Sequence, residues 1–220
     1  MRTVLPHEIA QSQALAERSL LSRVLGWLGL SLLLTAVGVL ATPLFPIQGG
    51  LMLVVFIVLL GMIFGIQAAV AARRQELAVG LFVLFAFVEG LFIGPVVNAY
   101  LSVAPDVVGT ALLGTVGIFL VAGAIVWITS FNFAAWGKWL FGALLVGIVL
   151  SIGAIFFRQL PQLAISALLG VVFVGLTFFD FWRVKAQRSF DNSSLLLALS
   201  LYLDFINLFL ILLRLLGRRR

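Results

Sequence analysis

The sequence predicts an all-α integral membrane protein built as a seven-transmembrane-helix bundle. Three observations predict it. Hydrophobic residues make up 63% of the 220 and charged residues only 10%, where a soluble domain carries about 25% charged. The apolar residues gather into seven runs, 24–45, 51–72, 77–100, 107–128, 139–157, 163–182 and 195–213, each near the roughly 20 residues that cross a bilayer as a helix. The connections are short, so no soluble domain is expected between spans. Transmembrane β-strands would be about half as long and would alternate, which these runs do not.

The chain then divides into an N-terminal tail at 1–23, a transmembrane domain at 24–216 and a basic tail at 217–220. The tail carries Pro6 and a mixed stretch, IAQSQALAERSLL, suited to a short interfacial helix. Arg18 and Arg23 precede the first run as in a signal peptide. The run is too long for a cleaved hydrophobic region, so it reads as an uncleaved span. Thr42, Pro43 and Pro46 end it, and Gln48-Gly-Gly turns the chain. The second run stops at Arg73-Arg74. The third holds Glu89 at its middle, then Gly90, Gly94 and Pro95. Pro95 has no N–H for the carbonyl of Leu91, which predicts a kink. The fourth is rich in small residues for close helix packing. Trp127, Trp136 and Trp139 flank the next loop as interfacial aromatics do. The fifth ends at Arg158 and Pro161, and the sixth carries Thr177 and Asp180 before Arg183, Lys185 and Arg188.

Charge distribution sets the orientation. With the N-terminus cytoplasmic, the inner segments hold Arg2, Arg18, Arg23, Arg73, Arg74, Lys138, Arg183, Lys185 and Arg188, and the outer loops only Arg158. Nine against one favours that orientation in a cell (inner) membrane. Arg218, Arg219 and Arg220 are the exception. Either seven full spans put them outside, or the last segment is re-entrant. The net charge of +6 is thus a matter of topology, and nucleic acid is no partner. Cysteine is absent and His7 is the sole histidine, which excludes disulfides, thiolate metal sites and histidine triads within the bundle.

The functional signal lies in three acids inside the spans, Glu89, Asp180 and Asp204. A carboxylate at a helix centre costs at least ~2.5 kcal/mol in a bilayer. In the last run Ser193, Leu197, Ser200, Asp204, Asn207, Ile211 and Arg214 follow at steps of four and three, which puts them on one helix face. That mostly polar face has to turn toward other helices or water. Spans six and seven form a hairpin. Asp180 lies eight residues before Arg188 and Asp204 twelve after Asn192, a difference of about one turn or ~6 Å along the axis. A slight tilt brings the two carboxyls together. Two carboxylates ~4 Å apart at an effective dielectric near 20 repel by about 4 kcal/mol, so they would share a proton and titrate as one unit. Asp180 and Asp204 are therefore the candidate pH sensor and ion-pathway residues. Glu89 is set about 18 Å into its span. With Arg73, Arg74 and Asn207, it is a candidate for gating or support.

At these residues the sequence resembles a known family. ALSLYLDFINLFLILLRLLG is similar to the last helix of the Bax inhibitor-1 (transmembrane Bax-inhibitor-motif) family, and VEGLFIGPVVNAY to its Glu-Gly…Pro segment. The acid of FFDFWRVK resembles the family's sixth-helix aspartate, although Phe181, Trp182 and Arg183 depart from the residues that usually follow it. The resemblance implies a bundle whose last helix is central. It implies a pH-sensitive calcium leak channel, with Asp180 and Asp204 as sensor and as transient calcium contacts. It also implies that Arg73 or Arg74 is the second-helix arginine that pairs with the sensor. Calcium suits carboxylates, because it takes oxygen ligands. No cofactor is implied beyond calcium as permeant ion, and no enzymatic activity. The contexts YLD and FFD lack the pairing expected of an intramembrane aspartyl protease. The alternative from a different class is a non-transporting membrane stress protein that modulates a membrane-bound protease. It would depend on residues 1–23 rather than on the acids.

The orientation is testable because the chain has no cysteine of its own. Single cysteines placed at Ser12 and Ser189 are expected to be protected from an impermeant thiol reagent in intact cells. Labelling of both would reverse the orientation.

Overall fold

Hydrocarbon offers the backbone no hydrogen bonds, so each apolar run satisfies its own N–H and C=O groups as a helix. A computed structural model describes residues 6–45, 47–156, 161–187 and 193–218, with the side chains of 6–19, 152, 155, 156 and 193 left aside. It contains seven helices: α1 (Pro6–Ala41), α2 (Gly50–Ala71), α3 (Gln75–Val103), α4 (Pro105–Ile128), α5 (Trp136–Phe156), α6 (Gln162–Ala186) and α7 (Ser193–Gly217). There is no strand among the described residues. Six helices are long and apolar enough to cross a membrane. The other, α5, coincides with the fifth expected run, and the apolar stretch described in it is Trp136–Ser151. Residues 1–5, 46, 157–160, 188–192 and 219–220, among them Pro46, Arg158, Arg188, Arg219 and Arg220, lie outside the described residues.

Helix α1 continues through position 23 without a break, and its apolar part spans Leu20–Leu44. A 3₁₀ turn at Thr42–Leu44, with Pro43 inside it, ends the segment. Gly49 then takes a left-handed conformation, φ 57°, which glycine adopts without steric cost. Helix α2 closes differently. The N–H of Arg73 bonds to the carbonyl of Val70 at 3.0 Å and that of Arg74 to Ala69 at 2.9 Å. This is a Schellman cap. Its left-handed position, φ 57°, is filled by Arg73, where glycine is usual and an L side chain costs roughly 1–2 kcal/mol. Pro95 sits inside the unbroken α3, and Pro105 occupies the first turn of α4, where its missing N–H has no partner to lose.

Burial singles out α7. Its apolar window is 67% buried, against 17–44% for the other spans. Among the described spans α7 is the most enclosed helix. It is also unbroken over 25 residues, about 37 Å. That is the length of a full span and not of a re-entrant loop.

Two compact units make up the chain, Met1–Asn98 with Val184–Tyr202 and Ala99–Arg183 with Leu203–Arg220. The first is held by a close contact of α1 with α3. Ser31, Thr35 and Gly38 on α1 and Thr42 in the following 3₁₀ turn recur at helical spacing. Gly90 and Gly94 on α3 make a small-xxx-small pair. A Cβ at Gly90 would fall on the carbonyl oxygen of Thr35 and 2.9 Å from Gly38 Cα, and one at Gly94 would fall on Thr42 Oγ1. Lipid supplies no hydrophobic drive between helices, so such backbone proximity is what joins them. Asn98 clips the far end by donating to the carbonyl of Val39 at 3.1 Å. In the second unit Phe131, Phe133, Trp136 and Phe178 form an edge-to-face and stacked cluster where α5 begins.

Gly90→Ala is expected to lower the unfolding free energy in detergent by about 1–3 kcal/mol, the usual cost of overpacking. Gly80→Ala on the same helix meets nothing within 4 Å and serves as the neutral comparison. Equal thermal stability of the two variants would refute the close contact.

Candidate functional site

A charge inside an apolar bundle needs a partner, and the second unit supplies one within a single helix. Asp180 and Arg183 stand three apart on α6, and Arg183 Nη1 donates to Asp180 Oδ1 at 3.0 Å. That spacing puts side chains on one face. Asp180 is 6% exposed, whereas the Arg183 side chain keeps 40% of its surface open. The carboxylate is thus held inside and the guanidinium reaches out. Arg183 also lies 5.9 Å from the ring centroid of Phe179, a cation–π contact that covers its stem.

Asp204, on α7, is 4% exposed and in the same unit. The charges of Asp180 and Arg183 act on its carboxyl, and the Thr177 hydroxyl lies within hydrogen-bonding reach of it. Thr177 sits three residues before Asp180 on α6. It is fully buried, and its hydroxyl donates to the carbonyl of Phe173 at 2.8 Å. With its proton used there, Thr177 Oγ is left as an acceptor. Asp204 Oδ2 has no hydrogen-bond partner among the described residues. An orphaned buried oxygen is costly. Asp180 and Asp204 thus lie within electrostatic reach of each other in the second unit.

Aromatic rings wall this site. Phe119 packs edge-on against Phe181 at 5.8 Å and against Phe205 at 5.1 Å, and Trp127 meets Phe181 at 6.5 Å. Phe181 and Phe205 each follow one of the acids directly. Asn207, the candidate supporting residue one turn beyond Asp204, donates to the carbonyl of Leu203 on its own helix at 2.7 Å. Its amide N–H is engaged there.

Charge counting describes what the site can do. Among the described residues two carboxylates face one guanidinium, and with both acids ionised that leaves one negative charge too many for a dry interior. A proton on one carboxyl, or a cation at Asp204 Oδ2, restores neutrality. The site can exchange one for the other.

The first unit holds a second polar cluster. Tyr202 is fully buried, and its hydroxyl lies 2.7 Å from Thr35 Oγ1. Thr35 Oγ1 also approaches the carbonyls of Ser31, at 2.8 Å, and Ala86, at 3.0 Å. The threonine proton goes to a carbonyl, so the phenol donates to threonine. Phe82 and Phe85 pack edge-on against the Tyr202 ring. Glu89, three residues after Ala86 on α3, is half-buried and its charge acts on Tyr202. Arg73 and Arg74 belong to this unit and are both exposed.

Sequence reasoning missed Tyr202, Thr35 and the role of Arg183. The i, i+3 spacing of Asp180 and Arg183 was a readable sign of an ion pair, and topology claimed the arginine first. The Thr35–Tyr202 bond joins residues 167 apart, and nothing local announces it.

Comparison with known proteins bears on the whole chain. Residues 17–220 match the family model described as inhibitor of apoptosis-promoting Bax1. The inner membrane protein YbhL of Escherichia coli is 32% identical over 218 residues, 91% of this chain and 92% of YbhL. An uncharacterized protein of Borreliella burgdorferi is 28% identical over 227 residues, 96% of each chain. An uncharacterized membrane protein of Vibrio cholerae is 29% identical over 193 residues, 86% of this chain and 85% of the relative.

Removing Arg183 takes away an ion-pair partner of the Asp180 carboxylate. Arg183→Gln is expected to cost about 1–3 kcal/mol, less than a fully buried pair because the arginine is partly exposed. Asp180→Asn/Arg183→Gln is expected to recover most of it. Strict additivity in this double-mutant cycle would show that the pair contributes nothing.

Proposed function

Because the chain belongs to the Bax inhibitor-1 family, we propose that it is a pH-sensitive calcium leak channel, gated by the buried acids Asp180 and Asp204. The role is transport and not catalysis. The setting is an inner membrane, as the name of YbhL states for that relative, with the N-terminus cytoplasmic.

One observation carries the reading. Asp204 Oδ2 is buried and has no hydrogen-bond partner among the described residues, and Arg183, the cation that acts on it, already binds Asp180. Such an oxygen attracts a proton or a metal cation. Calcium prefers carboxylate oxygens but takes about six to eight ligands. Two aspartates are too few for a resident ion and enough for one in transit, which keeps part of its water. Proton and calcium compete for the same oxygens, and that competition makes the leak depend on pH.

The gate follows from the same charges. While the acids share one proton, α6 and α7 are tied through Asp180, Asp204 and Thr177, with Arg183 balancing the remaining charge. A second proton discharges the pair with Arg183 and ends the sharing, so acidification loosens the two helices and raises the leak. A two-state gate moves from 1:99 to 99:1 with about 5.5 kcal/mol. Repulsion and ion-pair energies of a few kcal/mol are of that order.

Calcium flux into proteoliposomes of the purified protein, scanned over pH, tests this. The wild-type leak is expected to rise as pH falls. Asp180→Asn and Asp204→Asn should each flatten the profile, and the double variant should match either single. Single variants that keep the wild-type profile would exclude the acid pair as sensor, whatever the protein conducts.

A further inference from the structure

The C-terminal end of α7 carries charge that the leak reading does not use. Arg214 lies in the last turn of α7 and Arg218 just beyond it. Two cavities open at this end of the second unit, of about 440 and 170 Å³. Both are lined by Gln162, Ser166 and Arg214, and the smaller also by Tyr100 and Arg218. Arg214 and Arg218 are exposed.

An ordinary account makes these arginines complements of the α7 dipole. It leaves out Ser166, which is 3% exposed and lines both cavities. The first turn of α6, which begins at Gln162, borders the same space and presents backbone N–H groups with no intrahelical acceptor. Tyr100 is drawn in as well. Its ring lies where a Cβ on Gly217 would be, with the hydroxyl 2.9 Å from that position, so only glycine leaves it room. Every polar group named here can donate, and none is an acid.

We propose that this end of the unit is an oxyanion site of the phosphate class. Arg214 and Arg218 supply the charge. Ser166, Tyr100 and the Gln162 turn supply neutral donors. Guanidinium forks match phosphate oxygens two at a time, and a helix N-terminus favours the same ligand. The phosphate can be that of an anionic lipid headgroup or a free ion. Arg214 and Arg218 then have a use, which is to hold an anion at this end of the unit.

The test compares retention of phosphatidylglycerol with phosphatidylcholine by the full-length protein extracted from mixed-lipid nanodiscs, alongside thermal stability of the lipid-stripped protein with and without inorganic phosphate. Wild type should retain phosphatidylglycerol about tenfold over phosphatidylcholine, or gain stability with phosphate. The first result identifies a headgroup and the second a free ion. Arg214→Gln and Ser166→Val should each lower the effect at least threefold. Arg218→Gln, at an exposed position, keeps the test open if the other variants do not fold. Lys138→Gln removes an equal charge from the start of α5 and should change nothing. Neither effect in wild type, or arginine variants that behave like Lys138→Gln, would overturn the site.

Discussion

The cost of a carboxylate in hydrocarbon is the constraint on which this structure turns. An isolated ionised acid is expelled or neutralised there. The chain keeps Asp180 by giving it Arg183 three residues on, close enough to bond and long enough to reach the surface. It keeps Asp204 by burying it beside that pair with Thr177. Among the described residues Arg183 is the cation that acts on both acids, so with both ionised the negative charge is not fully matched there. A site that relies on a proton or a cation from outside responds to both. The proposed gating, pH dependence and ion contact all rest on that one imbalance of charge.

Such a site needs a rigid surround, and the membrane withholds the usual means of building one. Helices gain no hydrophobic energy by leaving lipid for each other. The first unit answers with backbone proximity, Gly38 and Thr42 against Gly90 and Gly94, and with the Thr35–Tyr202 hydrogen bond. The second answers with rings, Phe119, Phe181 and Phe205, around the acids. Helix α7 runs through both units, and Tyr202 and Asp204, two residues apart, are its polar contribution to each. The helix that holds the acid is also the most buried one.

Much of this was legible in the sequence, for physical reasons. Hydropathy gave the spans because a bilayer demands long apolar helices. Asp180 and Asp204 stood out because membranes make acids expensive, and counting along a hairpin placed them together because helices rise by a fixed amount per residue. Partners were harder to read. Arg183 looked like a topology signal, since an arginine at a span end serves either purpose. Tyr202 looked apolar, and its hydroxyl matters only because Thr35 folds onto it from a distant helix. The small face of α1 was hidden because serine, threonine and glycine in a hydrophobic run are unremarkable until an opposing Gly-xxx-Gly face is known. The left-handed Arg73 could not be foreseen, since caps of this kind usually carry glycine.

The central claim is that Asp180 and Asp204 titrate as one unit with a single shared proton. Infrared difference spectroscopy of the protein in lipid, stepped across pH, observes it directly through the carbonyl stretch of protonated carboxyls. The account predicts a band from the shared proton in wild type that disappears in Asp180→Asn and equally in Asp204→Asn, and that is displaced by calcium. A band that survives in either variant, or that calcium leaves unchanged, would mean the acids titrate independently and would contradict the account.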